Sequence, residues 1–218
     1  LDVNNGLTLQ FQADCGGVGG CIVDMLIDNV SVSLIGGGED PTEPTAAPDA
    51  PTVASENVIS IFSDSYTDVA GTIFDPFWQQ AVDPIMTDVD LGGNTVKKWT
   101  PLSYQGMELA APIDVSGMMT LHLDVWSPDI TSLNFGLISS AAGEQTQIAN
   151  AIITGQWNSI DIPLSSFTAV DLTDVVQLIM VDNTGGGTIY LDNIYFFKEV
   201  DPESDTSLSD IQVDDTSI

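Results

Sequence analysis

The sequence predicts an all-β protein: a two-sheet antiparallel β-sandwich of jelly-roll type, flanked by an N-terminal β-hairpin and a C-terminal strand. Three observations carry this. Short alternating apolar runs recur through residues 53–198, punctuated by Gly, Pro, Asn and Asp clusters at roughly the 8–12-residue spacing of sandwiches. No segment sustains a capped helical stripe, and "LSSFTAVDLTDV" has room for one short turn only. A hydrophobic fraction of 43% and a mean hydropathy of +0.18 suffice for a packed core.

Taken in order, residues 1–35 hold two alternating runs, "LTLQFQAD" and "CIVDMLIDNVSVSLI", joined by a glycine loop. Two strands cannot bury a core alone. The run "MLIDNVSVSL" shares its pattern with "IYLDNIYFFK" near the other end, and each precedes a polar linker. Residues 1–35 therefore read as the C-terminal hairpin of a preceding sandwich module, unless two unrelated strands share a short pattern. Cys15 and Cys21 close "CGGVGGC", either as a short surface disulfide or as free thiols. Residues 36–52, "GGGEDPTEPTAAPDAPT", read as a Pro/Thr/acidic linker with nothing to pack.

The block 53–198 then supplies nine strand signals: "NVISIFSD", "TVKKWT", "GMELAAPI", "TLHLDVWS", "SLNFGLIS", "QIANAII", "WNSIDIPL", "VVQLIMVD" and "GTIYLDNIYFF". The "TGGGT" before the last of them reads as a hairpin turn. Residues 199–218 are an acidic linker ending in what looks like the first strand of a following module. The chain opens in mid-strand, without methionine, and is expected to be a segment of a longer protein.

Charge narrows the partners. There are 32 acidic residues against 3 lysines, a net charge of −29. Such a surface repels phosphate backbones and anionic lipid heads, which excludes nucleic-acid binding. No run of about 18 apolar residues exists to span a membrane. Arginine, the bidentate carrier of carboxylate and sulfate recognition, is absent. A glycan partner should therefore be neutral or held through a metal.

Catalytic patterns are weak. The chain has a single histidine, His122, and no nucleophile elbow, zinc-protease motif or phosphate loop. Glu108 is the only glutamate within the strand signals of the main block, a poor basis for a paired-carboxylate glycosidase. Calcium has better support. Asp64 and Asp68 lie in the loop after the first strand of the block, and Asp192 stands in an apolar strand. Simple alternation puts Asp192 on the face of Tyr190, Ile194 and Phe196, where a bare carboxylate is costly. A cation or several N–H donors would offset that cost; turn-capping is the plainer role for each Asp.

Sugar binding needs flat aromatic faces flanked by polar groups. Trp78 sits in the polar stretch "FDPFWQQAVDP", and Trp99 and Tyr104 bracket "TPLS" with Gln105 following. Trp126 alternates onto one strand face with His122 and Asp124, a line that suits an open, ligand-facing sheet. Trp157 reads as a core or edge-sealing residue. For each tryptophan, core packing is the competing role.

The segments "VISIFSDSYTDVAGT", "WTPLSYQGMELA", "DVSGMMTLHLDVWSPD", "WNSIDIPLSSF" and "IYLDNIYF", in this order, resemble the galactose-binding-like jelly-roll carbohydrate-binding modules. Such modules are appended to secreted bacterial polysaccharide-degrading enzymes, notably marine family-16 β-glucanases. The resemblance implies a structural calcium joining first and last strands, with Asp64 and Asp192 at the matching positions and Asp68 beside them. It also implies aromatic glycan contacts, for which Trp78, Trp99, Tyr104 and Trp126 are the candidates. The family-16 catalytic strand is missing, so the resemblance implies binding rather than catalysis. The expected function is a non-catalytic module of an extracellular multimodular protein, secreted or at the cell surface, holding a neutral β-glucan-type polysaccharide. The alternative is a structural repeat of an adhesin or filament whose terminal strands pair with neighbouring modules.

Overall fold

The computed structural model describes residues 41–80, 82–141 and 143–199, with the backbone alone for residues 143–146. The expected N-terminal hairpin, its Cys15 and Cys21, and the C-terminal strand lie outside the described residues. The chain divides into two compact units, Leu1–Glu39 and Asp40–Ile218, and the described residues belong to the second.

Ten strands form two antiparallel sheets: β1 (Val58–Phe62), β2 (Ile85–Asp90), β3 (Thr95–Leu102), β4 (Tyr104–Ile113), β5 (Thr120–Trp126), β6 (Ser132–Ser139), β7 (Gly143–Ala151), β8 (Trp157–Pro163), β9 (Val175–Val181) and β10 (Gly187–Phe197). The six-stranded sheet runs β2-β3-β10-β5-β8, with β1 also paired to β10, and the four-stranded sheet runs β4-β9-β6-β7. The only described helices are 3-10 turns of three residues, Ser55–Asn57 and Leu164–Ser166. Among the described residues no helix is long and apolar enough to cross a membrane. The all-β sandwich is thus the observed architecture.

Alternation explains most of it. In β5, Leu121, Leu123 and Val125 enter the core while His122, Asp124 and Trp126 face outward. Trp99, Phe135, Phe167 and Phe196 are among the largest side chains wholly buried between the sheets. The strand that the pattern missed is β2, an edge strand without a single buried residue.

Two local readings need correction. Asn193 adopts φ 49° and adds one residue to β10. Asp192 therefore pairs with Asp124, and Tyr195 with His122, so three steps on β10 match two on β5. This bulge turns Ile194 and Phe196 into the core, and Asp192 shares the outer face with Tyr190 and Tyr195 instead. Likewise "TGGGT" is not a hairpin turn, because it carries the chain from β9 in one sheet to β10 in the other. Gly185 (φ 72°) and Gly186 (φ 88°) take the left-handed backbone there, and Asp182 braces the turn from Thr184 N (2.9 Å) and Gly187 N (3.2 Å).

The proline-rich stretch expected to pack on nothing is a strap. Residues 41–53 cross the outer face of the six-stranded sheet without joining it. Prolines offer no N–H, so the sheet provides the donors. Trp157 Nε1 donates to Ala46 O at 2.8 Å, Asn193 Nδ2 to Asp49 O at 3.3 Å, and Tyr66 Oη to Val53 O at 2.8 Å. Pro44 is buried.

Candidate functional site

The outer face of the four-stranded sheet is built from three cross-strand rows. Tyr104, Val181, Asn134 and Ala149 form one, and Gly106, Ile179, Gly136 and Gln147 the next. Glu108, Gln177 and Ile138 form the third. Onto this face folds the loop after residue 72. Ile73 exchanges both backbone hydrogen bonds with Glu108, at 2.8 Å each, which extends the sheet past β4. The chain then turns back through Gln79 (φ 60°).

Gln80 and Gln105 pin that turn. Gln80 Oε1 accepts from Trp78 N at 2.7 Å, while its Nε2 donates to Asp83 Oδ1 at 2.9 Å and Gln105 Oε1 at 3.3 Å. Gln105 Nε2 donates to Pro76 O at 3.0 Å. The result lays the Trp78 indole directly on Gly106. A Cβ at that glycine would stand 1.9 Å from the indole ring, so the position requires glycine. Trp78 Nε1 donates to Glu108 Oε1 at 2.5 Å, and Gln177 Nε2 donates to the same oxygen at 3.2 Å. Trp78, Tyr104, Glu108, Gln177 and Asn134 each keep part of their surface in water. The neighbouring Phe77 is 64% exposed. Asn134 Oδ1 has no donor within the protein.

The candidate ligand residues thus separate. Trp78 and Tyr104 come together on this face. Trp99 does not: it is fully buried in the core, with Nε1 bonded to Phe74 O at 3.1 Å. Gln105 is buried too and serves the loop rather than a ligand. The line His122, Asp124 and Trp126 lies on the opposite sheet, and its face is not open. Trp126 is 2% exposed and packs edge-on against Tyr190 at 5.4 Å, and Asp124 is 5% exposed. Trp126 is enclosed by Tyr190, Val96, Val89, Leu91 and Trp157, and the strap lies over His122 and Asp124. A cavity of about 340 Å³ remains between strap residues 48–53 and His122, Asp124, Trp157, Ser159 and Tyr195. Sequence reasoning did not place Glu108 on this face, and passed over Gln177 and Asn134 altogether. The signal was present: Gln177 and Asn134 are polar positions in the apolar strands "VVQLIMV" and "SLNFGLIS", and a glycine inside a strand marks a close approach.

The acidic candidates part similarly. Asp68 Oδ1 accepts from Ser60 Oγ (2.6 Å) and Ser63 N (3.1 Å), closing the loop after β1. Asp64 Oδ2 accepts from Thr95 N at 2.6 Å. Asp192 is wholly buried; its Oδ1 takes Asn193 N at 2.7 Å, and its Oδ2 has no partner. Burial, aided by the charges of Asp64 and Asp124 and opposed by the Asn193 N–H and the nearby Asn94 amide, pushes the Asp192 carboxyl up to about 7. Asn94 Oδ1 is likewise buried without a donor. These two orphaned oxygens, with the Asp64 carboxylate that acts on Asp192, are donors of the hard, oxygen-only kind that calcium takes. Among the described residues, no three His, Cys, Asp or Glu side chains are gathered to hold a metal. A cation held by Asp64 and Asp192 would therefore need Asn94 as well, while Asp68 Oδ1 is taken up by Ser60 and Ser63.

No protein-family model matches the chain, and no curated protein matches it. Solved structures of similar fold include the family 11 carbohydrate-binding module from Clostridium thermocellum, in complex with a β-1,3-1,4-mixed-linked tetrasaccharide. It is 18% identical over 66% of this chain and 98% of that one, with a TM-score of 0.48. The family 30 module of a cellulosomal cellulase of Clostridium thermocellum is 15% identical over 66% and 99%, with a TM-score of 0.47. A family 29 carbohydrate-binding module is 14% identical over 66% and 98%, with a TM-score of 0.45. At these identities the likeness is one of chain path.

Proposed function

We propose that this chain is a non-catalytic glycan-binding module and that its site is the face carrying Trp78, Tyr104, Glu108, Gln177 and Asn134. The observation that supports this reading most is Trp78. A loop tied by two glutamines and a strand glycine place a large indole on a sheet face, where part of it remains in water. Burying that ring in the core would have been worth more to stability; held there, it offers a pyranose a flat apolar partner. Around it, the amides of Gln177 and Asn134 and the carboxylate of Glu108 match sugar hydroxyls. The net charge and the absence of arginine favour a neutral chain, and a β-glucan-type polysaccharide is the class proposed. A calcium ion at Asp64, Asn94 and Asp192 would brace the β1 and β10 end of the sandwich. Such a module belongs in a secreted or cell-surface protein.

The test is a glycan array at about millimolar calcium, within the range of weak extracellular calcium sites, repeated in chelator. Neutral β-glucan oligosaccharides should bind the native chain and not Trp78→Ala. Equal binding by both proteins, or none by either, sinks the reading.

A further inference from the structure

The strapped face carries chemistry that glycan binding does not use. His122 and Asp124 both line the cavity beneath residues 48–53. His122 Nε2 stands 3.6 Å from Asp124 Oδ1, too far for a hydrogen bond. Each group is meanwhile held from behind. Asp161 Oδ1 lies 2.7 Å from His122 Nδ1, Tyr195 stacks on the ring with centroids 4.6 Å apart, and Phe197 meets it edge-on. Asn193 Nδ2 donates to Asp124 Oδ2 at 2.8 Å, which leaves Oδ1 free of hydrogen bonds. With the Nδ1 proton on the Asp161 side, the neutral ring presents its Nε2 lone pair on the side of Asp124. Asp–His pairing of this kind orients a metal-ligating imidazole. A metal about 2.1 Å from both Nε2 and Oδ1 would subtend about 118° there, between tetrahedral and trigonal.

We infer that His122 Nε2 and Asp124 Oδ1 are the protein ligands of a site for a divalent transition metal of the zinc, nickel or copper type, with Asp161 and Asn193 as positioning residues. The cavity leaves room for water to complete the shell. An imidazole ligand separates this site from the oxygen-only set at Asp64, Asn94 and Asp192, which suits calcium. It stands independently of the glycan reading. The rival occupant is a second proton on the ring. Burial opposes that proton, but the Asp124 and Asp161 carboxylates on either side of the ring outweigh it and raise the His122 pKa. Metal and proton therefore compete.

The test uses the whole 218-residue chain, which has a single histidine. With calcium saturating and at about pH 8, chosen to favour the neutral ring, one equivalent of Cu2+ is added. Pulsed electron paramagnetic resonance should show the remote nitrogen of one bound imidazole, which only His122 can supply. Calorimetry with Zn2+ should show a site that His122→Gln loses and that Asp161→Asn weakens about 10–100-fold, with unchanged circular dichroism. A copper spectrum without imidazole nitrogen, or zinc binding equal in His122→Gln, overturns the inference. The native spectrum decides even where a variant fails to fold.

Discussion

The two outer faces of this sandwich are made from similar strands and have opposite fates. On the six-stranded sheet, Trp126, Tyr190, Asp124 and Asp192 are all buried: a proline-rich strap passes over Asp124, while Val96, Val89, Leu91 and Trp157 pack around Trp126 and Tyr190. On the four-stranded sheet, Trp78, Tyr104, Glu108 and Gln177 remain in partial contact with water. An aromatic residue opposite polar neighbours therefore does not by itself mark a ligand surface. What distinguishes the two is how far other parts of the chain cover the face: fully around Trp126 and Asp124, only in part around Tyr104 and Glu108.

Exchanging large side chains for alanine tests that contrast most strongly. Trp126→Ala should cost about 3–5 kcal/mol of stability, as for a buried aromatic, and leave glycan affinity of the folded protein unchanged. Trp78→Ala should do the reverse, lowering affinity at least about tenfold with a small change in melting temperature. The opposite pattern would exchange the roles of the two faces. Gly106→Ala sharpens this further: the methyl displaces the indole from its seat, so affinity should fall although the tryptophan is still present.

A pH series probes the strapped face. The unfolded Asp192 carboxyl titrates near the ordinary aspartate value of about 3.9, and the folded one at about 7. Between those values the folded state binds more protons. Stability measured in chelator should therefore fall as pH rises from about 4 to about 7, and level off above. Asp192→Asn should remove the slope, and calcium should flatten it in the native protein. A flat profile in chelator would mean that Asp192 is not titrating in the folded state.

The smallest effect concerns the strap. Trp157→Phe keeps an aromatic, though smaller, ring and deletes the donor to Ala46 O. It should cost about 1 kcal/mol and speed proteolysis within residues 41–52. Cleavage at the native rate would show that Pro44 and the remaining bonds hold the strap without it.

By itself the sequence determined the class of fold, nine of the ten strands among the described residues, and the acidic, arginine-free composition. Alternation, turn residues and composition are local properties, readable over a few residues. It also carried Trp78 and Tyr104 as aromatic candidates. Tertiary structure alone decided which face of each strand lies under cover. The Asn193 bulge reversed the phase of β10, and no periodicity announces one extra residue. The strap came to lie over His122 and Asp124 because a segment poor in N–H donors met side-chain donors on that face, an encounter between residues 111 and 144 positions apart. The same holds for Trp78 on Gly106: the glycine is legible as a gap in a strand, but only the returning loop shows what fills it.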